Sequence, residues 1–472
     1  MKLFVTACIL SWVASSSVAI SRDLYVDPSQ GNDRADGLSS AVEAGSGPVA
    51  TIRRAVQMAE PGDVIRIVEG IDRVYEQVLF AEKSGTKEEP IVFDGQGAII
   101  DGSVPIVREE WELVSEGLYR STVIPEKYCY GVNPAYVGRF FFVWEGEINR
   151  MGRSLKGPKE PYMSPEELSP GQWTYVEGEA AFYLRIEPDI TLEEAPVRVP
   201  KIVSGVQISG ECHNLIIRNV TVTHVINDGF ALTTGSNKQS TVENIRFENI
   251  VAKECGDDGL SAHGDCEVYV DGFLSIANST GYCSQGVSIN RNVRMEEIHG
   301  VEIFPIGGRH EFINTTVVGH AAQPVTVLAS APFETSELIL ENCLILAAPG
   351  RKPVDARMRI QKGGVLRADR LSTQGISIQV SGLMELSNSV IAGGREVTLN
   401  ILEGAEWEGS NNLYDIGLFL LEGTRFAPRD FSTFSTAAHE EGSSVRPISA
   451  LGEASSQSEL SLSVGADLSR LP

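Results

Sequence analysis

The chain has 472 residues, 42% hydrophobic and 22% charged, so it carries enough apolar side chain to bury a large core. With 39 Lys and Arg against 63 Asp and Glu, its formal net charge is −24. That balance argues against a nucleic-acid partner, because phosphate binding needs a clustered basic surface. The same field repels a polyanion unless a bound cation or a local basic patch overcomes it.

In chain order, the N-terminus comes first. Lys2 is a basic start, residues 3–14 are apolar, and Ser17-Val18-Ala19 is a small-x-small cleavage site. Residues 1–19 therefore read as a secretory signal peptide, and a secreted protein (extracellular or periplasmic) is expected. Val5-Thr6-Ala7-Cys8 looks like a lipoprotein box but lacks an apolar stretch ahead of the cysteine, so no membrane anchor is expected.

Residues 20–102 are expected to hold an N-terminal cap and the first coils of a repeat. Thr51 to Ala59 form an amphipathic helix ended by Glu60-Pro61-Gly62-Asp63, placed to plug the open end. Between 103 and 200 the pattern breaks, and Trp111, Trp144 and Trp173 fall among many Tyr and Pro. This stretch reads as an inserted β-rich subdomain or a set of loops. Residues 201–424 carry the main repeat. In 425–472 the composition turns to Ser, Ala and Glu, expected to wrap the last coil or stay partly disordered.

The repeat is direct. NLIIRNVTVTHVINDGFALTTG (214–235) lies over NIRFENIVAKECGDDGLSAHGD (244–265) without a gap, placing Asn219 on Asn249, Asp228 on Asp258 and Gly229 on Gly259. A polar residue, Asn, then an alternating apolar pair recurs at Asn314, Asn342, Asn388 and Asn411-Asn412. Short alternating strands at this spacing predict a β-solenoid with about 4.8 Å between coils, its recurrent Asn forming an amide ladder. The spacing between Asn290 and Asn314 is too short for a normal coil.

Beyond residue 19 lie Cys129, Cys212, Cys255, Cys266, Cys283 and Cys343, too few in so long a chain for a disulfide scaffold. Cys255 and Cys283 fall at similar places in successive repeats and could bridge. Cys343 is expected to face inward. No Cys/His zinc spacing occurs.

Several further phrases stand out: Asp23-Leu24-Tyr25-Val26-Asp27-Pro28 with Gly31-Asn32-Asp33, Ser84-Gly85-Thr86, Pro90-Ile91-Val92-Phe93 with Ile100-Asp101-Gly102, Ser169-Pro170-Gly171-Gln172-Trp173 with Phe182-Tyr183-Leu184-Arg185, and Val464-Gly465-Ala466-Asp467-Leu468. In these the chain resembles the secreted parallel β-helix proteins of the pectate-lyase-like superfamily. The resemblance implies an all-β fold, a right-handed parallel β-helix, and a polysaccharide as partner. It leaves the reaction open among lyases, hydrolases and epimerases.

The densest chemistry is Gly256-Asp257-Asp258-Gly259-Leu260-Ser261-Ala262-His263-Gly264-Asp265. Alternation turns Leu260 and Ala262 inward and Ser261 and His263 outward. Asp258 stacks on Asp228, Gln285 follows one coil later, and Thr233, His263 and Asn290 are expected in an outward row. Carboxylates this close repel, so either a cation such as Ca2+ sits among Asp228, Asp257 and Asp258, or one stays protonated. The second case suits glycoside hydrolysis, with Asp257 and Asp258 as acid and nucleophile or base and His263 and Asp228 tuning them. Asp265, Ser261, Gln285, Asn290, Lys238 and Arg291 are candidates for binding substrate.

In similar lyases an Asp-Asp-Gly turn holds calcium and a Lys or Arg takes the sugar proton. Here Lys238, Lys253, Arg291, Arg294 and Arg309 are in range and none is distinguished. In similar hydrolases paired Asp and a nearby His line the cleft, but the spacing here departs from the polygalacturonase pattern. A structural reading stands beside these: Asp caps the turn and Gly takes positive φ. A non-catalytic carbohydrate-binding or surface solenoid is the alternative from another class. His299 and His310 read as turn residues, Arg150 and Arg153 as surface charges, and the three tryptophans as packing rather than sugar platforms.

Overall fold

The structure, a computed structural model, describes residues 21–129, 131–151, 161–235, 240–319, 322–348, 356–448 and 465–472. The signal segment, Arg153 and Lys238 lie outside the described residues. No described helix is long and apolar enough to cross a membrane.

The main coils each lay down one short and one long strand. The long strands include Cys212–Thr223, Val242–Lys253, Cys266–Ile276, Val287–Glu296, Gly308–Gly319 and Ser336–Ala347. They stack in parallel, residue on residue, so that Leu215, Ile217, Val220 and Val222 lie on Ile245, Phe247, Ile250 and Ala252. The short strands Val206–Ser209, Phe230–Thr233, Asp258–His263, Thr280–Ser284, Val301–Pro305 and Gln323–Val327 stack beside them, also in parallel. Together they build a 28-stranded sheet wound as a right-handed parallel β-helix. Alternate side chains fill one continuous core from Leu24 to Ala438.

The recurrent Asn does two things. Asn219, Asn249, Asn292, Asn314 and Asn342 all take left-handed φ between 51° and 55°, bending each long strand into two arms. Asn tolerates that conformation better than most residues. The expected ladder is present: Asn249 Nδ2 donates to Asn219 Oδ1 at 3.0 Å, and Asn342 Nδ2 to Asn314 Oδ1 at 2.8 Å. Gly272 and Arg370 hold the same corner in coils that lack the Asn, at φ 78° and 52°. The irregular spacing resolves here too. Asn292, not Asn290, turns the corner of a shorter coil, donating to Asp271 Oδ1 at 2.7 Å.

That shift corrects two readings. Asn290 is not in an outward row; it points into the core, wholly buried, where its Nδ2 donates to Ser288 Oγ at 2.9 Å. His310 is not a turn residue. It lies within the strand Gly308–Gly319, 2.9 Å from Ser288 Oγ and 2.8 Å from Gly307 O, and burial pushes its pKa down to about 4.

The helix Ile52–Met58 is capped by Thr51, whose side chain accepts from Arg54 N, and packs Ile52, Ala55 and Val56 into the solenoid core. At the other end the helix Phe431–Ala437 inserts Phe434 into the same core, and Glu440–Glu441 and Ser444–Val445 pair in parallel onto the last strands. Residues 465–472 run back along the Asn corner, where Asp467 N donates to Asn342 Oδ1 at 2.5 Å.

Residues 103–200 form two four-stranded antiparallel sheets. Trp111, Phe140, Phe142, Trp173 and Phe182 make a core of their own, with Phe140 and Phe182 stacked at 4.6 Å. Trp111 and Trp173 are thus buried packing residues. The bridge that Cys255 and Cys283 could have formed is absent, and all six described cysteines are buried thiols. Cys255 packs in the core, whereas Cys283 follows inward-facing Tyr282 on its strand and turns the other way. Cys343 faces inward as expected.

Candidate functional site

The candidate site sits where the chain leaves one long strand and enters the next short one, at residues 224–228 and 254–258. Close packing, not backbone strain, fixes the glycines here. A Cβ on Gly256 would stand 1.8 Å from Ile226 O, and one on Gly229 would stand 2.8 Å from both Ala252 Cβ and Gly259 O. Neither Gly229 nor Gly259 has positive φ, so the expected φ > 0 role of the Asp-Gly step is not found. The missing side chains let successive coils press together and bring the aspartates into one cluster.

Asp228, Asp257 and Asp258 are each no more than 5% exposed. Each offers an oxygen within 4.8 Å of the others. Asp228 Oδ1 accepts from Asp258 N at 3.2 Å, tying the two coils, and its Oδ2 accepts from Asn227 Nδ2 at 2.9 Å. Two arginines from the 103–200 segment complete the cluster. Arg139, ending the helix Pro134–Arg139, places Nη1 3.2 Å from Asp257 Oδ2 and 2.5 Å from Asn227 Oδ1. Arg150 is not a surface charge. It is buried over the Phe141 ring and donates to Cys255 O at 2.6 Å and Gly256 O at 3.4 Å. Burial lowers its pKa to about 10, and the nearby acidic groups oppose that shift without cancelling it.

Among the described residues three carboxylates meet two guanidiniums here, and carboxylates this close favour a shared proton or a positive group among them. The oxygens suit a hard divalent ion in kind, though Arg139 already occupies one flank of Asp257. Asp258 also belongs to a second group, with a His263 nitrogen and the Cys283 sulfur within 4.8 Å of one another. His263 is exposed on the outer face, 2.9 Å from Ser261 Oγ, with Leu260 and Ala262 inward. Thr233 pairs with His263 as expected.

The remaining candidates divide. Gln285 is buried and works on the backbone, accepting from Gly264 N at 2.9 Å and donating to Ala331 O at 3.3 Å. Asp265 is exposed beyond the strand end. Arg291 is exposed on a long strand, paired in register with Asp271, away from the short-strand face.

Sequence reasoning missed an adjacent ionic network. His224 sits between Asp101 Oδ1 and Glu254 Oε2, each 3.2 Å away, all three buried. Arg73 pairs with Asp101, and Lys253 pairs with Glu254 at 3.4 Å and Glu147 at 3.7 Å. Burial alone would lower the imidazole's pKa, but its hydrogen bonds to both carboxylates raise it. Burial would raise Glu254, yet His224, Glu147 and Lys253 bring it down to about 2. The usable signal was the repeat itself, since His224 and Glu254 occupy equivalent places in the two gap-free copies.

No family model and no curated protein matches the chain. Among solved structures the chain is similar to a complex of XylC with xylose, at 10% identity and TM-score 0.40 over 90% of this chain and 82% of that one. It is similar to a glycoside hydrolase at 11% identity and TM-score 0.44, over 90% and 96%. It is also similar to pectate lyase Pel9A at 14% identity and TM-score 0.40, over 77% and 78%.

Proposed function

We propose that the chain is a secreted carbohydrate-active enzyme that cleaves a complex polysaccharide by glycoside hydrolysis at the Asp228–Asp257–Asp258 cluster. What supports the reading is the convergence of three buried carboxylates, one of which, Asp258, also lies within 4.8 Å of the exposed His263 imidazole. Retaining hydrolysis uses carboxyl groups about 5–5.5 Å apart, whereas inversion needs roughly 6.5–9.5 Å to admit a water. The anomeric configuration of the first-formed product would tell the two apart. In this reading Asp257 and Asp258 act as acid and nucleophile or base, Asp228 holds the coils in register, and His263 meets the sugar at the surface.

The test is turnover of neutral and uronic polysaccharides by Asp257→Asn and Asp258→Asn. Loss of about 100- to 10,000-fold with an unchanged unfolding curve is expected for acid–base groups. Full activity in both variants would refute the assignment. A second reading, cation-dependent β-elimination with the same aspartates as ligands, draws on the three carboxylate oxygens gathered within 4.8 Å of one another. There a chelator would abolish turnover. Binding that survives the double substitution, with no turnover in the native chain, would instead mark a binding solenoid.

A further inference from the structure

A cavity of about 340 Å³ opens on the short-strand face further along the solenoid, lined by Arg359, Ile360, Gln361, Lys362, Gln379 and Ser381. No lining residue is acidic. The strands that carry it are Arg357–Ile360 and Ser377–Val380, stacked in parallel with Arg359 against Gln379. Arg357 Nη1 donates to Gln379 Oε1 at 3.1 Å.

The charge here runs against the rest of the chain. Nearby arginines on the long strands are neutralised, Arg367 by Glu337 and Glu385, Arg370 by Glu341 and Asp369. Among the described residues Arg357, Arg359 and Lys362 make no ion pair, and the buried Arg359 Nε has no hydrogen-bond partner. In a chain of net charge −24 such a grouping is a local positive well. A guanidinium beside an ammonium recognises a carboxylate or a sulfate, and the amides and hydroxyl of Gln361, Gln379 and Ser381 suit sugar hydroxyls. The volume sits at the low end for ligand pockets.

Position ties the cavity to the candidate reaction centre. Ser261 pairs with Cys283, Cys283 with Phe304, and Thr326 of the next strand with Arg359. At about 4.8 Å per strand, Arg359 stands four steps, roughly 19 Å, from Ser261 along one face. We propose that this cavity is an anion subsite that holds the carboxylate or sulfate of an acidic saccharide lying across the strands towards His263. The proposal rests on the reading of that face as a polysaccharide-binding surface and adds the substrate class.

The experiment is calorimetric binding of an oligogalacturonate, a chondroitin sulfate oligosaccharide and a neutral dextran oligosaccharide to the full chain. It is run in the Asp257→Asn/Asp258→Asn background so that turnover cannot intervene, with Arg359→Gln and Lys362→Gln each added. Tenfold or greater weakening for an acidic probe in Arg359→Gln, several-fold in surface Lys362→Gln, and a shallower salt dependence in both are expected. The uronate and sulfate arms tell which anion is held. Equal affinity for acidic probes in both added variants, or no acidic probe bound at all, overturns the subsite. The two readings fail separately: native-like turnover in the aspartate variants removes the hydrolytic centre, while Arg359-dependent binding still stands.

Discussion

Replacing His224 by Asn tests the ionic network beneath the 103–200 segment. His224 has φ 54°, which Asn tolerates, so the substitution removes the imidazolium without forcing the corner. In the native chain the cation lies 3.2 Å from each of two buried carboxylates. Glu254 falls from 4.5 to about 2, which at about 1.36 kcal/mol per unit would correspond to roughly 3 kcal/mol. Screening at the solvent-reaching Lys253 side reduces that to about 2 kcal/mol. Asp101 is likewise held well below the usual carboxylate range, burial opposing and His224 and Ser103 prevailing. The variant leaves the carboxylates facing each other and is expected to lose about 2–4 kcal/mol near pH 6. Because the His224 pKa is raised, its contribution is complete below about pH 6.5 and fades as pH rises through the folded value. The depressed carboxylates contribute above about pH 4.5 and lose that contribution as pH falls towards 2. Urea unfolding of both proteins from pH 4.5 to 9 should show a difference largest between pH 4.5 and 6.5. A pH-independent difference, or one below about 0.5 kcal/mol at pH 6, would refute the charged bridge.

Other expectations follow from single contacts. Asn249→Ala gives up the amide bond to Asn219 and puts a poorer residue at φ 51°, costing about 1–3 kcal/mol in denaturant unfolding. Asn249→Gly, which keeps the backbone freedom, should cost less. Glu440→Ala strands the donors of Trp407, Asn412, Tyr414 and Ser443 at the C-terminal end and should cost about 3 kcal/mol or more, seen in Trp407 emission before global unfolding. Burial pushes the thiols of Cys129, Cys266 and Cys343 up to about 12, so a thiol reagent should label none of the six cysteines until the chain unfolds, and then all. Mass spectrometry showing a Cys255–Cys283 bridge would contradict the packing.

The solenoid was legible because its signals are local. Alternation sorts Leu260 and Ala262 from Ser261 and His263 within a few residues, and Asn at a corner is a backbone preference that one residue carries. The Asp228–Asp258 stack followed from aligning two copies. Asn290 was misplaced because the coil after His263 is shorter than the one before it: Ala262 pairs with Ser284, so the row continues at Gln285 and Asn290 falls on the next long strand, stacked on inward-facing Val270. Arg139 and Arg150 were out of reach because their partners Asn227 and Gly256 lie 88 and 106 residues away. Only the docking of one segment on another creates those contacts. The His224 network needs three stacked coils to exist, so composition and spacing alone could not separate it from surface charge.

The most direct measurement of the central claim is the chemistry of the products formed from neutral, uronic and sulfated polysaccharides, with and without a calcium chelator. Hydrolysis at the aspartate cluster predicts new reducing ends without ultraviolet-absorbing unsaturated sugars, unaffected by chelation and absent in Asp257→Asn/Asp258→Asn. Unsaturated, absorbing products that vanish on chelation would contradict it.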